Sequence, residues 1–399
     1  MKSKGADDYR RLLFYAKREG NIMGYPTLDF IFLSEEDMIK SGVKNMPDCI
    51  DVMEEVVKCL NAGDYVMGGE NHNSHGSQVS FPKKSKFPNM PLDTGDDRRF
   101  MAMPAYIGGP FDLMGMKWYG SNSDNRNLGL PRSILTVMLN DKETGAPLAL
   151  LSANLLSAMR TGAIPGVGAR YLADKNARVA GICGPGVMGK TSLEAILCSC
   201  PGIEEIKVKG RGQKSLDAFI EYAKEKYPQM KKIEAVETVE ELVRGTDVIS
   251  FANSGNTDSS TYPFVKLEWV KPGALIIGLS CFDMDSSEMK KCRLVVDNTE
   301  LYEAWAEEFP YPSFGVNNII GSKFTDMIHD GIIAKEDMMD LGDIISGEKK
   351  GRNSEEDIVI FSVGGMPVED VAWGKYCYEN AKKLGLGTTL RLWEKPDMF

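Results

Sequence analysis

A short apolar run, Arg178-Val-Ala-Gly-Ile-Cys183, leads into a turn with Gly184, Gly186 and Gly189 spaced as G-x-G-x-x-G, and a helix-compatible run over residues 190–200 follows at once. Few features narrow a fold as far. A strand feeding a helix through a glycine turn starts a βαβ unit and leaves backbone N–H groups at the positive end of a helix dipole, where a pyrophosphate can sit. The spacing alone is a weak signal. Between a strand and a helix it points to dinucleotide binding.

The downstream sequence extends that unit. Residues 178–183, 205–209, 232–236, 247–252, 274–279 and 293–297 read as short buried strands, with helical candidates at 215–227 and 239–244 among them. The alternation predicts an α/β fold, a doubly wound parallel sheet of the Rossmann type. Its carboxyl edge carries Gly184, Gly210, Asn253 and Ser280, the edge where ligands bind in such sheets.

The upstream sequence has another texture. Ser34-Glu-Glu-Asp is a helix start, and residues 48–61 place Ile50, Met53, Val56, Val57 and Leu60 at helical spacing. Residues 99–103, 113–119, 133–140 and 147–152 read as strands between Gly, Pro and Asn turns. This predicts an α+β substrate/dimerisation domain with an antiparallel sheet. A strand at 357–363 and a helix at 368–384 are expected to rejoin it, leaving the Rossmann domain inserted. The expected division is residues 1–160 for the first part (1–30 being an extension), 161–335 for the Rossmann domain and 336–399 for the returning segment.

A chain of 399 residues suits two domains. The net charge of −10 argues against nucleic acid as a partner. No apolar run approaches the ~20 residues needed to span a bilayer, so no membrane partner is expected. The first twenty residues are polar, and a cytoplasmic protein is expected. The eight cysteines form no C-x-x-C and there are three histidines, so neither a metal site nor a disulfide framework is indicated.

The end of the second Rossmann strand bears on the cofactor. A ribose-binding Asp or Glu is expected about 20 residues beyond the glycine turn. Here the strand runs into Gly210-Arg211-Gly212-Gln213-Lys214-Ser215, without an acid. Glycine makes room for a 2′-phosphate, and Arg211, Lys214 and Ser215 supply donors for it. NADP (as NADPH) is favoured, with NAD as the alternative. The missing acid also lowers the case for S-adenosylmethionine.

Several blocks together resemble the ornithine cyclodeaminase/µ-crystallin family: Met103-Pro-Ala-Tyr-Ile-Gly-Gly109 with Gly115-Met-Lys-Trp118, Leu155-Leu-Ser-Ala-Met-Arg-Thr-Gly-Ala163 just before the glycine turn, and Val363-Gly-Gly-Met-Pro-Val-Glu-Asp-Val371. The resemblance runs from about residue 32 to residue 387. It implies an NAD(P)-dependent enzyme working at an amino acid Cα–N bond, a small amino or imino acid substrate, and a homodimer or higher homo-oligomer. It also implies that Arg160 grips the substrate α-carboxylate and that Lys117 lies beside the carboxylate or the reacting C–N centre. Candidate cofactor contacts are Gly184, Gly186, Val187, Met188 and Gly189 of the turn, Thr161, Arg211, Asn253, Ser254 and Ser280. The residue chemistry suits these roles: Arg offers a planar fork for a carboxylate, and a partly buried Lys can have a lowered pKa suited to proton transfer. Each has a blander reading, a structural salt bridge for Arg160 and a surface lysine on an edge strand for Lys117.

The chain departs from the family pattern twice. Ornithine cyclodeaminases carry an aspartate where Gly278-Leu-Ser280 places Ser280, as the ketimine-reductase branch does; Asp283 or Asp285 is a substitute if the loop is shifted. The family also places a substrate arginine in a Pro-x-Arg strand, where this chain has Gly68-Gly-Glu-Asn-His-Asn-Ser-His75, with His75 a candidate proton donor. That stretch is either a retuned pocket wall or an ordinary polar loop. The leading expectation is an NAD(P)H-dependent oxidoreductase of a Cα–N bond, by imine or ketimine reduction or amino acid dehydrogenation. The alternatives are a cyclodeaminase releasing ammonia and a non-catalytic NADP-binding protein.

Overall fold

The computed structural model describes residues 26–94, 97–254 and 258–398. Two eight-stranded sheets organise them. The first contains β1 (Leu28–Leu33), β2 (Tyr65–Met67), β3 (Ser77–Ser80), β4 (Arg99–Ile107), β5 (Leu113–Ser121), β6 (Ser133–Asn140) and β7 (Pro147–Ser152). The second begins with β8 (Val179–Cys183), β9 (Glu205–Lys209), β10 (Lys232–Ala235), β11 (Val248–Phe251) and β12 (Leu275–Gly278), and adds β13 (Arg293–Val296), β14 (Met338–Asp340) and β15 (Val359–Ser362). The last strand, β16 (Thr388–Trp393), returns to the first sheet, whose order is β16-β1-β7-β6-β5-β4-β2 with β3 also on β4. All its pairings are antiparallel except β1 with β7.

The second sheet is parallel throughout, in the order β10-β9-β8-β11-β12-β15-β13-β14. From β8 the chain builds outward to β9 and β10 on one side, then crosses to β11 and β12 on the other. The switch point therefore lies between β8 and β11, and a crevice opens there at the carboxyl edge. The central strands β11, β12 and β15, and the edge strand β14, are buried at every position, as expected of a parallel sheet covered on both faces.

One expected boundary moves. The sequence pattern predicts that the strand near residue 360 rejoins the first domain, but β15 sits in the parallel sheet between β12 and β13. The physical reason is its continuous burial: Val359-Ile-Phe-Ser362 has no solvent face, which the centre of the parallel sheet provides and an outer antiparallel strand does not. The return begins only with the helix Pro367–Leu384, which packs on β4 and β5, and ends with β16 beside β1. Of the N-terminal extension, residues 28–30 belong to β1 and residues 1–25 lie outside the described residues.

Helix boundaries follow local chemistry. Ser34 and Asp37 close a reciprocal capping box ahead of Glu35–Lys40, and Asn45 caps Met46–Asn61 through the Asp48 N–H. The helix Asn154–Leu172 joins the two domains and packs on Val187–Ser199. The approach needs glycine: a Cβ on Gly162 would lie 2.4 Å from the Thr191 side chain. No helix among the described residues is long and apolar enough to cross a membrane.

Candidate active site

The glycine turn sits at the switch point, and its shape leaves room only for glycine. Gly184 has φ +106°, and a Cβ there would meet Ala252 O at 2.5 Å and Asn253 N at 2.6 Å. A Cβ on Gly189 would lie 2.0 Å from Gly184 O, whereas around Gly186 there is open space. Gly186 is the N-cap of Val187–Ser199 and supplies no side-chain acceptor, so the first N–H groups of a thirteen-residue helix point toward open space. Val187 is exposed and Met188 half-buried beside it. Nearby, the buried Oδ1 of Asn253 has no hydrogen-bond partner among the described residues while its Nδ2 donates to Cys281 Sγ at 3.1 Å. An open helix start and an orphaned acceptor on one crevice fit a dinucleotide. Arg211, Lys214 and Ser215 are exposed at the end of β9.

Strand order sets a row along the rest of that edge: Asn253 and exposed Ser254 after β11, half-buried Ser280 after β12, Gly364 after β15 and Asp297 after β13. Asp283, the possible stand-in for the cyclodeaminase aspartate, forms a salt bridge with Lys323 instead. Thr161, on the interdomain helix, is half-buried next to Arg160.

Lys117 on β5 and Arg160 on the interdomain helix converge. Lys117 Nζ lies 2.8 Å from Asp370 Oδ2, and Arg160 Nη2 lies 2.8 Å from the same oxygen. Arg160 Nη1 bonds Glu369 Oε2 at 2.5 Å. Both cations are only 3% exposed, and the two acids are fully buried. Lys117 is therefore not the surface lysine of the bland reading. Arg160 has its fork engaged by protein carboxylates, and among the described residues its Nε, Glu369 Oε1 and Asp370 Oδ1 find no partner. Burial and then the neighbouring Arg160 charge bring the Lys117 ammonium down to about 8. Burial works against ionised Asp370, but Arg160 and Lys117 outweigh it and hold that carboxyl below its usual range. Burial pushes Glu369 up.

His75 lies at this centre on the irregular loop between β2 and β3. Its Nδ1 is 2.8 Å from Gly365 O, and its ring is 5.6 Å from that of Trp305. A proton-donor role would need the imidazolium. Burial, followed by the Lys117 and Arg160 charges, pushes His75 down to about 3 and leaves the ring neutral. His72 is exposed, with φ +62°. Tyr65 OH bonds both Asn73 Oδ1 (2.6 Å) and Glu300 Oε2 (2.7 Å), tying the loop to the helix Thr299–Glu308.

Sequence reasoning missed three acids. Glu369 and Asp370 stand in the first turn of an otherwise apolar helix start, with Val368, Val371, Ala372 and Trp373 around them; adjacent acids in so apolar a setting were the available signal. Asp297, fully buried, accepts from Gly364 N at 2.7 Å and Gly365 N at 3.3 Å. As the residue after a strand, it carried no distinguishing signal.

The family model for the ornithine cyclodeaminase/mu-crystallin family matches residues 42–385. The chain belongs to this family. Among its relatives, an N-((2S)-2-amino-2-carboxyethyl)-L-glutamate dehydrogenase of Staphylococcus aureus is 26% identical, with 92% of this chain and 99% of that protein covered. Among solved structures, an archaeal alanine dehydrogenase dimer with bound NAD superposes with a TM-score of 0.72 at 26% identity, covering 92% of this chain and all of that one. A Thermococcus litoralis Δ1-pyrroline-2-carboxylate reductase in complex with NADH and L-proline gives 0.71 at 28% identity, covering 90% and 99%.

Proposed function

We propose that this family member is an NAD(P)H-dependent oxidoreductase acting on the Cα–N bond of an α-amino or α-imino acid. The observation that carries the reading is the convergence of Lys117 and Arg160 on Asp370 in a buried cluster between the domains. An ammonium lowered to about 8 by burial can hold a proton or release it near neutral pH, as a step making or breaking a C=N bond requires. Arg160 Nε and the remaining Lys117 N–H groups are donors for a substrate carboxylate. The buried setting excludes water and strengthens each of these contacts. When bound, the nicotinamide supplies or takes up the hydride at the α-carbon. Gly184, Gly186, Val187, Met188 and Gly189 hold the pyrophosphate side, with Thr161, Asn253, Ser254 and Ser280 along the nicotinamide side. Exposed Arg211 at the end of β9 favours NADPH over NADH.

The relatives named for alanine, pyrroline-2-carboxylate and an amino-carboxyethyl glutamate agree with chemistry at such a bond. The working unit is a homodimer. Its supporting feature is the outer face of the first sheet, where Phe100, Trp118 and Ile134 are 40–49% exposed around an open hollow of about 440 Å³. The test is to incubate the purified protein with NADPH or NADH and either a cyclic ketimine acid or a 2-oxo acid plus an amine, following loss of reduced-cofactor absorbance. Consumption, faster with NADPH, is expected. Tight cofactor binding with no turnover of any such pair would overturn the reading, and proline plus ammonia from ornithine without net cofactor change would replace it with cyclodeamination.

A further inference from the structure

The turn at Gly364–Gly365 is held from both sides. From behind, Asp297 Oδ2 accepts both of its N–H groups, at 2.7 and 3.3 Å. From the other side, its Gly365 carbonyl faces His75 Nδ1 at 2.8 Å. A carbonyl only accepts, so Nδ1 must carry the proton, and Nε2 of the neutral ring is left as an acceptor. Nε2 makes no hydrogen bond among the described residues, and the side chain keeps partial exposure. The turn has little freedom to move. A Cβ on Gly364 would strike Leu301 at 2.5 Å, and one on Gly365 would lie 3.0 Å from Arg160 Nη1.

Resting on the proposed Cα–N chemistry, we propose that Asp297, acting through the Gly364–Gly365 turn, fixes His75 as the Nδ1–H tautomer, so that its bare Nε2 lone pair accepts an N–H or O–H of the substrate. Asp297 is the positioning residue and His75 the substrate contact. The charged groups around the imidazole are Lys117 from β5, Arg160 from the interdomain helix and Asp370 from the helix Pro367–Leu384. The two cations keep the ring neutral, so it serves as an acceptor and not as a cation for a second carboxylate. The substrate class that fits carries a donor at this point, such as a ring or chain N–H or a hydroxyl; a carboxylate there would face a lone pair.

With three histidines in the chain, 15N-histidine NMR of the full protein can read the tautomer directly once His75→Gln assigns the signal. The expected result is a neutral Nδ1–H ring at neutral pH, kept in Asp297→Asn, whose Oδ1 still accepts both N–H groups, and lost to a tautomer mixture in Asp297→Ala. An Nε2–H or charged ring in the wild type, or an unchanged signal in Asp297→Ala, would overturn the tautomer relay. The substrate side is read by steady-state kinetics with whichever imino or amino acid is turned over. His75→Gln, with an oxygen near the Nε2 position, should hold KM within about threefold, while His75→Asn keeps only the inner donor and should raise it about tenfold, the effect of one lost hydrogen bond. Equal KM values for these two variants would overturn the contact. Absence of turnover with every pair would sink the proposed function while the NMR result stood.

Discussion

Replacing Lys117 by methionine gives a stability change whose sign and size follow from its surroundings. In the unfolded chain this ammonium keeps its proton up to 10.5, whereas burial and Arg160 make the folded state release it from about 8. Between these values the unfolded chain binds more protons, so stability rises with pH. At about 1.4 kcal/mol per unit, the buried charge costs about 3 kcal/mol below the window, a cost removed by its upper end. Several buried thiols oppose this in the same window, since burial pushes Cys59 and Cys200 up to about 11 and Cys377 up to about 12. The measurement is therefore a difference: urea unfolding of wild type and Lys117→Met at matched pH values from about 7 to about 10. The wild-type free energy minus that of the variant should climb by about 2–3 kcal/mol across the series. A flat difference would mean that Asp370 outweighs burial and that Lys117 stays charged throughout, which removes its case as a proton carrier near neutrality. In the same pH series the reductive kcat/KM should fall above about pH 8 with the slope of one proton.

Other perturbations bear on other parts. In Gly189→Ala the methyl would press on Gly184 O from 2.0 Å, and the cofactor loop would have to shift; NADPH affinity, read by nucleotide fluorescence, should weaken by at least about tenfold with the fold intact. Asp370→Asn withdraws the carboxylate shared by two buried cations, so urea unfolding should show a loss of about 3–5 kcal/mol; a loss below about 1 kcal/mol would mean the cations are solvated. Trp118→Asp puts a charge on the exposed apolar face of β5; if the proposed dimer forms through this face, light scattering should find a dimer for the wild type and a monomer for the variant.

The glycine turn is legible because most of its constraint is local: strand, turn and helix are contiguous, and the Cβ conflict of Gly189 is with Gly184 O five positions away, although that of Gly184 is with Ala252 and Asn253 of the neighbouring strand end. The strands at Ser133–Asn140, Pro147–Ser152 and Glu205–Lys209 have the limits read from the sequence, since apolar runs bounded by turn residues mark them clearly. Sheet membership is another matter. β15 gains its place from pairing with β12 and β13, which lie tens of residues away, and a four-residue run of three apolar residues and a serine does not say which sheet it joins. The same distance hid the site's acids. Arg160 and Glu369 are 209 positions apart, and Lys117 and Asp370 are 253 apart, so no spacing rule connects them. Lys117 and Arg160 were found because their blocks resemble a family. His75 was found as an unusual residue, but its role as an acceptor depends on a carbonyl 290 positions away.

The five buried charges also settle which way protons move when substrate enters. Lys117 and Arg160 bring two positive charges, and Asp297, Glu369 and Asp370 bring three carboxyl groups, none of the five more than 3% exposed. Fully ionised, the cluster would hold an unpaired negative charge, which a buried site avoids by protonating a group. Asp370, between the two cations, stays ionised. The proton falls to the Asp297–Glu369 side, where burial and then the Glu369 charge push Asp297 up to about 7. An entering carboxylate adds a further negative charge and must favour that proton more strongly. Binding of a 2-oxo acid, which is a net anion with no ammonium of its own, should therefore take up protons above about pH 7 and weaken as pH rises. Calorimetry with pyruvate and NADP in two buffers of different ionisation enthalpy would read the uptake, and Asp297→Asn should reduce it. Tight binding with no buffer dependence in the wild type would show that the cluster holds its excess charge unprotonated, and the charge-balance argument would fail.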